Sequence, residues 1–253
     1  MTPESQVDLM WGCVTSRKDY PTELRGKFSF DDAHHIQLGL LARYEQAGDK
    51  QAGWKVGLTA KAMQAQLGIP EPLFGFLLES GHKCSGAIFA HASLARPAFE
   101  NELCLTLGKS LHGPGVTLEE ARAAISRVAP AFEIIERRGG ANADLALALA
   151  DNAQQRFIVT GAPSPLGDVD LATVSVEVIS NGIVQETALG REVLGTPIAS
   201  VAWLANKLAQ FGRHLESGEQ IMSGSFTKQY NLNRADVIES RFQPFGTVRA
   251  EFR

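Results

Sequence analysis

Hydrophobic residues recur along this chain with two different periods, and the two periods predict a protein of mixed α and β structure. In residues 31–46 the apolar positions repeat every three or four residues, which indicates an amphipathic helix. Ser29 and Asp32 have the spacing of a capping box ahead of it, and Gly48 can end it. Residues 53–59, GWKVGLT, instead alternate apolar and polar side chains and predict a strand.

Two further helices and a hairpin are predicted in the second half of the chain. Residues 117–130 begin with a capping-box pattern and predict a helix that closes at its final proline, with the short strand AFEIIE after it. Residues 196–212 predict another helix, with Thr196 as its cap and Gly212 at its end. An Asn-Gly pair at 181–182 lies between two β-prone runs and predicts a hairpin. The fold class is therefore α+β, and the order of the strands stays open.

Composition and charge argue against several classes of function. The chain has 253 residues, 44% hydrophobic and 21% charged, and its net charge of -4 is spread without a basic patch for nucleic acid or an anionic membrane. The N-terminal residues lack the features of a signal peptide, and no apolar run reaches the ~18 residues of a membrane span. Three separated cysteines suggest no disulfide framework. We expect one catalytic domain over residues 1–253, mainly helical in residues 1–50, in the cytoplasm.

Three acidic residues are the first candidates for chemistry. Glu100 and Glu102 share one face of the strand in RPAFENELCLTLGK, and its leucines occupy the other face. Glu133, in PAFEII, can join them if the two strands lie side by side. Three ionised carboxylates repel one another unless a cation lies among them, and oxygen ligands favour Mg²⁺, Mn²⁺ or Ca²⁺ over zinc. The alternatives are a solvated face and a surface salt bridge from Glu133 to Arg137 or Arg138.

Lys55 is the second candidate. It lies on the polar face of its strand together with Gly57, and a glycine there lets a ligand approach the backbone closely. Most strand lysines are exposed, but a lysine beside a metal site can carry a proton or anchor a carboxylate. Glu79, in FGFLLES, is a weaker candidate for proton transfer. The adjacent His34 and His35 point to different sides of a predicted helix, which does not suit a metal pair.

A series of motifs resembles the hydratase/decarboxylase branch of the fumarylacetoacetate hydrolase superfamily, from about Phe30 to the C-terminus. The motifs are GWKVGLTAKAMQAQLGIPEPLFGFL, the ExE strand, PAFEII, ADNA, LGTPIASVAWLANKLAQFG and IMSGSFT. The resemblance, to 2-keto-4-pentenoate hydratases and 4-oxalocrotonate decarboxylases, implies a mixed β-roll with flanking helices that forms homo-oligomers. It also implies Mg²⁺ or Mn²⁺ bound by Glu100, Glu102 and Glu133, with Lys55 as the family's strand lysine.

The activity implied by the resemblance is lyase chemistry on a small 2-oxo acid. Hydration of a 2-hydroxydienoate or 2-keto-4-pentenoate in aromatic catabolism is the main expectation. The alternatives are decarboxylation of a 4-oxalocrotonate-type acid, C–C hydrolysis of an acylpyruvate, and a non-catalytic subunit in a complex with a related family member. Asp151 and the hydroxyls of Ser223 and Ser225 are candidates for holding the substrate, against the alternative of a turn and a strand end. The chain departs from the family pattern at three places: it reads EIIERR for the usual EIVDSR, DNAQ for the usual DNAS, and has Asn101 in place of a small residue inside the acidic pair. The three changes spare the triad, but they leave the pocket around the substrate tail, and so the exact substrate, open.

Overall fold

The computed structural model describes residues 2–16, 18–20, 24–139 and 144–253. Its helices are α1 (Pro3–Ser16), α2 (Phe30–Gln46), α3 (Lys61–Leu67), α4 (Leu118–Ala124), α5 (Leu145–Ala150) and α6 (Pro197–Ala209). Its first strands are β1 (Gln51–Gly57), β2 (Leu73–Leu78), β3 (His82–Cys84), β4 (Ala87–Phe89), β5 (Pro97–Leu107), β6 (Ile125–Glu136) and β7 (Gln155–Thr160). The later strands are β8 (Ser164–Pro165), β9 (Ser175–Ser180), β10 (Ile183–Leu189), β11 (Gln220–Met222), β12 (Tyr230–Asn231), β13 (Val237–Gln243) and β14 (Gly246–Phe252).

The strands form two sheets, and helices lie against them. The larger sheet has nine strands in the order β2-β1-β11-β5-β6-β7-β3, with β12 beside β5 and β8 beside β6. The smaller sheet has the order β10-β9-β13-β14-β4. Most neighbours in the larger sheet are distant in sequence, so its centre collects segments from across the chain. This arrangement confirms the predicted α+β class and the mixed β-roll with flanking helices.

The β5–β6 ladder forms the middle of the larger sheet and corrects one helix prediction. The predicted helix over 117–130 ends at Ala124, and β6 begins at Ile125. Pairing with β5 satisfies the backbone of this segment, and tertiary pairing of this kind overrides a weak local helix preference. Pro130 lies within this strand and has no N–H to donate, while its carbonyl accepts a hydrogen bond from the Gly161 amide at 2.8 Å.

Several local predictions are confirmed and one cap is not. The capping box of Ser29 and Asp32 starts α2, and Asn181-Gly182 turns between β9 and β10 with positive φ angles of 53° and 79°. Thr196 occupies the N-cap position of α6, but its side chain makes no capping hydrogen bond, and its buried hydroxyl has no hydrogen-bond partner in the described part of the chain. This helix also ends at Ala209, three residues before the predicted glycine.

Both faces of the larger sheet are buried around its centre. One face packs into the main core around side chains such as Trp54, Phe74 and Phe132. On the other face a small apolar cluster contains Leu77, Cys104, Ala129, Ala131, Ile158 and Met222. The polar side chains of β5 therefore project into the protein rather than into solvent. In the described ranges, no helix has the length and apolar character needed to cross a membrane.

Candidate active site

Three carboxylates meet where β5 and β6 lie side by side, and we call them the carboxylate triad: Glu100, Glu102 and Glu133. Glu100 and Glu133 are direct partners across the antiparallel ladder, and Glu102 follows two residues further along the same face of β5. One carboxylate oxygen from each residue lies within 4.8 Å of the other two. Glu102 and Glu133 are completely buried, whereas Glu100 is partly exposed. The structure thus brings together the three acids selected from the sequence.

The triad has too few hydrogen-bond donors for its oxygen atoms. Glu102 Oε2 accepts from the Gly224 amide at 2.8 Å, and Glu100 Oε1 accepts from Gln229 Nε2 at 3.0 Å. Glu102 Oε1 is buried and has no hydrogen-bond donor among the described residues, and the buried Glu133 Oε1 has an ion-pair contact with Lys55 Nζ at 3.3 Å but no hydrogen bond of good geometry there. Unpaired buried acceptors are unfavourable, so these atoms indicate a site for a positively charged or hydrogen-bonding group.

Burial and mutual repulsion also act on the protonation of the triad. Burial raises the pKa of Glu102 well above its ordinary value, and the charges of Glu133 and Glu100 add to this effect. Burial likewise raises the pKa of Glu133 to about 7, although Lys55 opposes the shift. A divalent cation would relieve this repulsion and satisfy the free oxygen atoms. The triad therefore fits a cation that prefers hard oxygen ligands.

Lys55 is buried beside the triad rather than exposed, with only 4% of its surface accessible. Its Nζ lies 3.3 Å from Glu133 Oε1 and 3.4 Å from Oε2, and 3.5 Å from the carbonyl oxygen of Ala153. Burial lowers the pKa of Lys55, but the attraction of the three acids outweighs this effect and the net shift is upward. A Cβ at Gly57 would lie 3.1 Å from Lys55 Nζ, so the glycine leaves room for the ammonium group. The alternative of a surface salt bridge from Glu133 to Arg137 or Arg138 is not observed among the described residues, since Glu133 is buried and pairs with Lys55.

Glu79 does not reach the triad. It follows the end of β2 and is exposed, whereas Lys55 pairs with Gly75 of that strand. Four residues of strand at about 3.3 Å each separate Gly75 from Glu79, or about 13 Å. A direct proton transfer by Glu79 at this site is therefore wrong, because its carboxylate is too far away.

Both carboxylate oxygens of Asp151 accept hydrogen bonds from residues outside the triad. Its carboxylate accepts from Arg138 Nη2 at 2.6 Å and Nε at 2.7 Å, and from the Tyr20 hydroxyl at 2.7 Å. It lines a separate cavity of about 260 Å³ together with Glu136 and Arg156. These contacts support a structural role for Asp151 and leave it no free oxygen directed at the triad.

The two serines differ in their surroundings. The buried hydroxyl of Ser223 accepts from the Leu103 amide at 3.3 Å and donates to the Gly224 carbonyl at 3.3 Å. It thereby holds the loop whose Gly224 amide reaches Glu102. Ser225 is half-buried and lines a cavity of about 610 Å³ next to Glu100. Of the two, Ser225 has the position expected of a residue that contacts a substrate.

Two neighbouring cavities lie beside the triad, and Glu100 lines both of them. The smaller one, of about 140 Å³, is lined on its polar side by Lys55, Glu100, Gln154 and Gln229. Its other lining residues are mostly apolar: Gly57, Leu58, Leu73, Ile135, Leu145, Ala148, Leu149 and Ala153. The cavity of about 610 Å³ shares Leu58, Glu100 and Gln229 with it. A small acid with one polar end and an apolar tail fits this combination.

A left-handed turn beside Lys55 was not foreseen from the sequence. Asn152, Ala153 and Gln154 have φ angles of 55°, 49° and 66°, which are uncommon outside glycine. Asn152 stabilises the turn, because its side-chain amide accepts from the Phe76 amide at 2.7 Å and donates to the Phe76 carbonyl at 2.8 Å. The motif ADNA was noted, but its residue types do not reveal three consecutive left-handed residues. Strained backbone of this kind is concentrated at functional sites.

The fold and the site together define a β-roll protein with a buried carboxylate triad suited to a divalent cation. Residues 51–253 match the family described as fumarylacetoacetate (FAA) hydrolase C-terminal, and the chain belongs to this family. It is 38% identical over 236 residues to 4-oxalocrotonate decarboxylase of Pseudomonas putida, covering 92% of this chain and 88% of that protein. It is 34% identical over 261 residues to 2-keto-4-pentenoate hydratase of Paraburkholderia xenovorans, covering 100% of this chain and 96% of that protein.

Solved structures agree with this assignment. 4-Oxalocrotonate decarboxylase from Pseudomonas putida G7, complexed with magnesium and adipate, superposes with a TM-score of 0.95 at 34% identity, covering 99% of this chain and 97% of that chain. The same enzyme complexed with calcium and acetate gives a TM-score of 0.93. Fumarylpyruvate hydrolase from Pseudomonas aeruginosa is 14% identical with a TM-score of 0.63, which shows the shared fold alone. The similar proteins named as decarboxylase and hydratase are lyases, and the structures of the decarboxylase contain a divalent metal.

Proposed function

We propose that this protein is a divalent-metal-dependent lyase that hydrates a small 2-oxo acid of the 2-hydroxydienoate or 2-keto-4-pentenoate type. The observation that carries the proposal is the triad, in which two buried oxygens lack a hydrogen bond, next to a buried lysine and a small cavity. The similar hydratases and decarboxylases support it. Aromatic catabolism, which the resemblance implies, is the setting in which such acids arise.

Glu100, Glu102 and Glu133 would hold the ion, which we propose to be Mg²⁺ or Mn²⁺. When bound, a divalent ion supplies a positive charge that stabilises negative charge developing on the 2-oxo group. The chain itself supplies the negative field: its triad offers three carboxylates against one ammonium, with two of them buried. Because carboxylate oxygens are hard ligands, they favour hard cations over thiophilic ones.

Lys55 would provide the charged group that contacts the substrate. Its ammonium is held by Glu133 and by the Ala153 carbonyl, and it lines the small cavity. A charged lysine in this position can donate a proton to a carbon or oxygen of the substrate, or anchor the substrate carboxylate. The apolar residues opposite it would surround the tail of the acid and exclude bulk water.

Decarboxylation of a 4-oxalocrotonate-type acid is the second candidate. Among the described residues that line the small cavity, Lys55 is the only cation, and it is already paired with Glu133. A second carboxylate entering this cavity would be poorly solvated, and such an environment favours release of neutral CO₂. The same cavity is therefore compatible with either reaction. Which reaction occurs depends on whether the substrate carries a second carboxylate.

One set of assays distinguishes hydration from decarboxylation. We expect the protein with Mg²⁺ to consume 2-hydroxypenta-2,4-dienoate, measured by loss of dienol absorbance, and EDTA to stop this consumption. Release of CO₂ from 4-oxalocrotonate measures the alternative, and release of pyruvate from an acylpyruvate measures C–C hydrolysis. Consumption of the dienol at the same rate in EDTA would overturn metal dependence. If none of the three substrates is turned over with Mg²⁺ or Mn²⁺, the lyase proposal fails.

We also propose that residues 1–253 act as one catalytic domain and that the protein works in the cytoplasm as a homo-oligomer, able to associate with a related lyase. Contacts of the N-terminal helix α2 with the rest of the fold support the first point. Gln37 of α2 donates through Nε2 to the Phe74 carbonyl at 2.9 Å and to the Leu149 carbonyl at 3.0 Å. Light scattering of the purified protein, alone and mixed with a related lyase, tests the assembly.

A further inference from the structure

The geometry points to Gln154 as the residue that positions the water molecule for hydration, an inference that rests on the proposed hydratase function. Gln154 lines the same cavity of about 140 Å³ as Lys55 and Glu100. A cavity of this volume exceeds the space that one water molecule needs, which is about 30 Å³ in the liquid. Two features of the molecule point to this role: the backbone turn that carries Gln154, and the interaction with Tyr20 that orients its side-chain amide.

The turn places Gln154 at the cavity in a defined way. Gln154 is the last of three consecutive left-handed residues, and Asn152 at the start of the turn is bonded to both backbone polar groups of Phe76. The middle residue, Ala153, directs its carbonyl oxygen to Lys55 Nζ at 3.5 Å. One turn thus positions a partner of the lysine and the neighbouring glutamine together.

A chain of hydrogen bonds decides which end of the Gln154 amide is free. The Tyr20 hydroxyl donates its proton to Asp151 Oδ2 at 2.7 Å, and Asp151 is held by Arg138. The Gln154 side chain lowers the pKa of this hydroxyl, against the larger rise caused by burial and Asp151, which is the effect of a hydrogen-bond donor on an oxygen whose only proton is already used. Gln154 must therefore donate its NH₂ group to Tyr20, and the network assigns the orientation of the amide.

The amide oxygen of Gln154 is then an acceptor without a donor among the described residues. An acceptor next to the cavity binds a donor such as water and disfavours a carboxylate. In the step we assign, the oxygen of this water forms a bond to the fourth carbon of a 2-oxo-3-enoate, and the π electron pair moves toward the 2-oxo oxygen. One proton leaves the water to solvent and one reaches the third carbon, so the product gains one H₂O without oxidation or reduction. Gln154 orients the water and does not take its proton.

Two reactions of the same protein test this role. Hydration needs the positioned water, whereas exchange of hydrogen for deuterium at the third carbon of 2-oxopentanoate needs only enolisation. In Gln154→Met we expect kcat for hydration of 2-hydroxypenta-2,4-dienoate to fall about 10²-fold, as for a misplaced reactant, with exchange in D₂O changed less than about twofold. Tyr20→Phe frees the amide to rotate, and we expect a smaller loss of hydration, about tenfold, with exchange retained.

Gln185→Met is the matched control, since Gln185 is exposed on β10 and bonds only the Ile183 carbonyl among the described residues. We expect it to leave both reactions unchanged. Hydration at the wild-type rate in Gln154→Met overturns the inference. An equal fall of the hydration rate and the exchange rate in Gln154→Met also overturns the inference. Gln154 would then maintain the structure of the site and would have no specific role in positioning water. A wild-type protein that exchanges hydrogen but never hydrates overturns the hydratase proposal instead.

Discussion

Strand β6 contributes buried acids to two ionic clusters that differ in their balance of charge. Glu133 belongs to the carboxylate triad, where three acids face the single ammonium of Lys55. Three residues further on, Glu136 belongs to a second group, the arginine cluster, formed by Glu136, Arg138, Asp151 and Arg156. The arginine cluster pairs two positive groups with two negative groups, whereas the triad keeps an excess of negative charge.

The arginine cluster and the triad also differ in how well their carboxylate oxygens are hydrogen-bonded. In the arginine cluster, Glu136 accepts from the Ala95 amide at 2.8 Å and from Arg138 at 3.2 Å, and no buried carboxylate oxygen of the cluster lacks a partner in the described part of the chain. Burial lowers the pKa of Arg138, but Asp151 outweighs this effect and the net shift is upward. Burial of charge alone therefore does not mark a functional site. The excess of negative charge and the buried oxygens without a hydrogen bond distinguish the triad from the arginine cluster.

The largest expected effect is on stability, in the arginine cluster. Arg138→Met leaves Asp151 and Glu136 buried without their main partner, and we expect the free energy of unfolding to fall by about 3–5 kcal/mol. Urea denaturation measures it. Arg241→Met is the control, because its ion pairs with Glu177 and Glu239 are exposed and such pairs contribute about 0–1 kcal/mol. An equal loss in the two variants would contradict the structural role of the cluster.

In the triad we expect the main effect on activity. Glu102→Gln keeps the shape of the side chain but removes one charge from the cation's surroundings. Turnover at limiting Mg²⁺ should fall at least about 10²-fold, since even the loss of groups that orient metal ligands costs 10–100-fold. Circular dichroism should show a folded protein. Wild-type turnover at limiting Mg²⁺ would show that this carboxylate does not hold the ion.

Lys55→Met tests the role of the ammonium group that lies beside the triad. We expect kcat to fall about 10²-fold, the usual scale for a lost acid–base group, with the ion still bound. A rise in KM at constant kcat would instead identify Lys55 as an anchor for the substrate carboxylate. Isothermal titration with Mg²⁺ is the control for ion binding. Unchanged kcat and KM would remove Lys55 from the reaction.

The smallest expected effect is the stabilisation of the wild-type protein by the ion. At about ten times its Kd, Mg²⁺ should add about 1.4 kcal/mol to the free energy of unfolding, which raises Tm by about 3–6 °C for a chain of this size. Calorimetry with Mg²⁺ and with EDTA measures the shift. The shift should be lost in Glu102→Gln and retained in Arg241→Met. An identical shift in Glu102→Gln would mean that the ion stabilises the protein at another place.

The sequence by itself determined the local features and the identity of the principal acids. The capping box at Ser29, the Asn181-Gly182 hairpin and the alternation that places Glu100 beside Glu102 all depend on neighbouring residues, so they can be read along the chain. The strands PAFEII and GWKVGLT indicated Glu133 and Lys55 as their companions, and the family motifs selected the same residues. These features can be predicted without knowing which distant strands pair.

Only the tertiary structure decided how these residues meet. The register that sets Glu133 opposite Glu100 depends on a ladder between segments separated by α4, and this ladder also turned residues 125–130 from predicted helix into strand. The exposed position of Glu79, the pairing of Asp151 with Arg138, and the left-handed turn at Gln154 likewise depend on long-range contacts. A pattern of neighbours encodes local backbone preference, but burial and charge balance arise only when distant segments pack together.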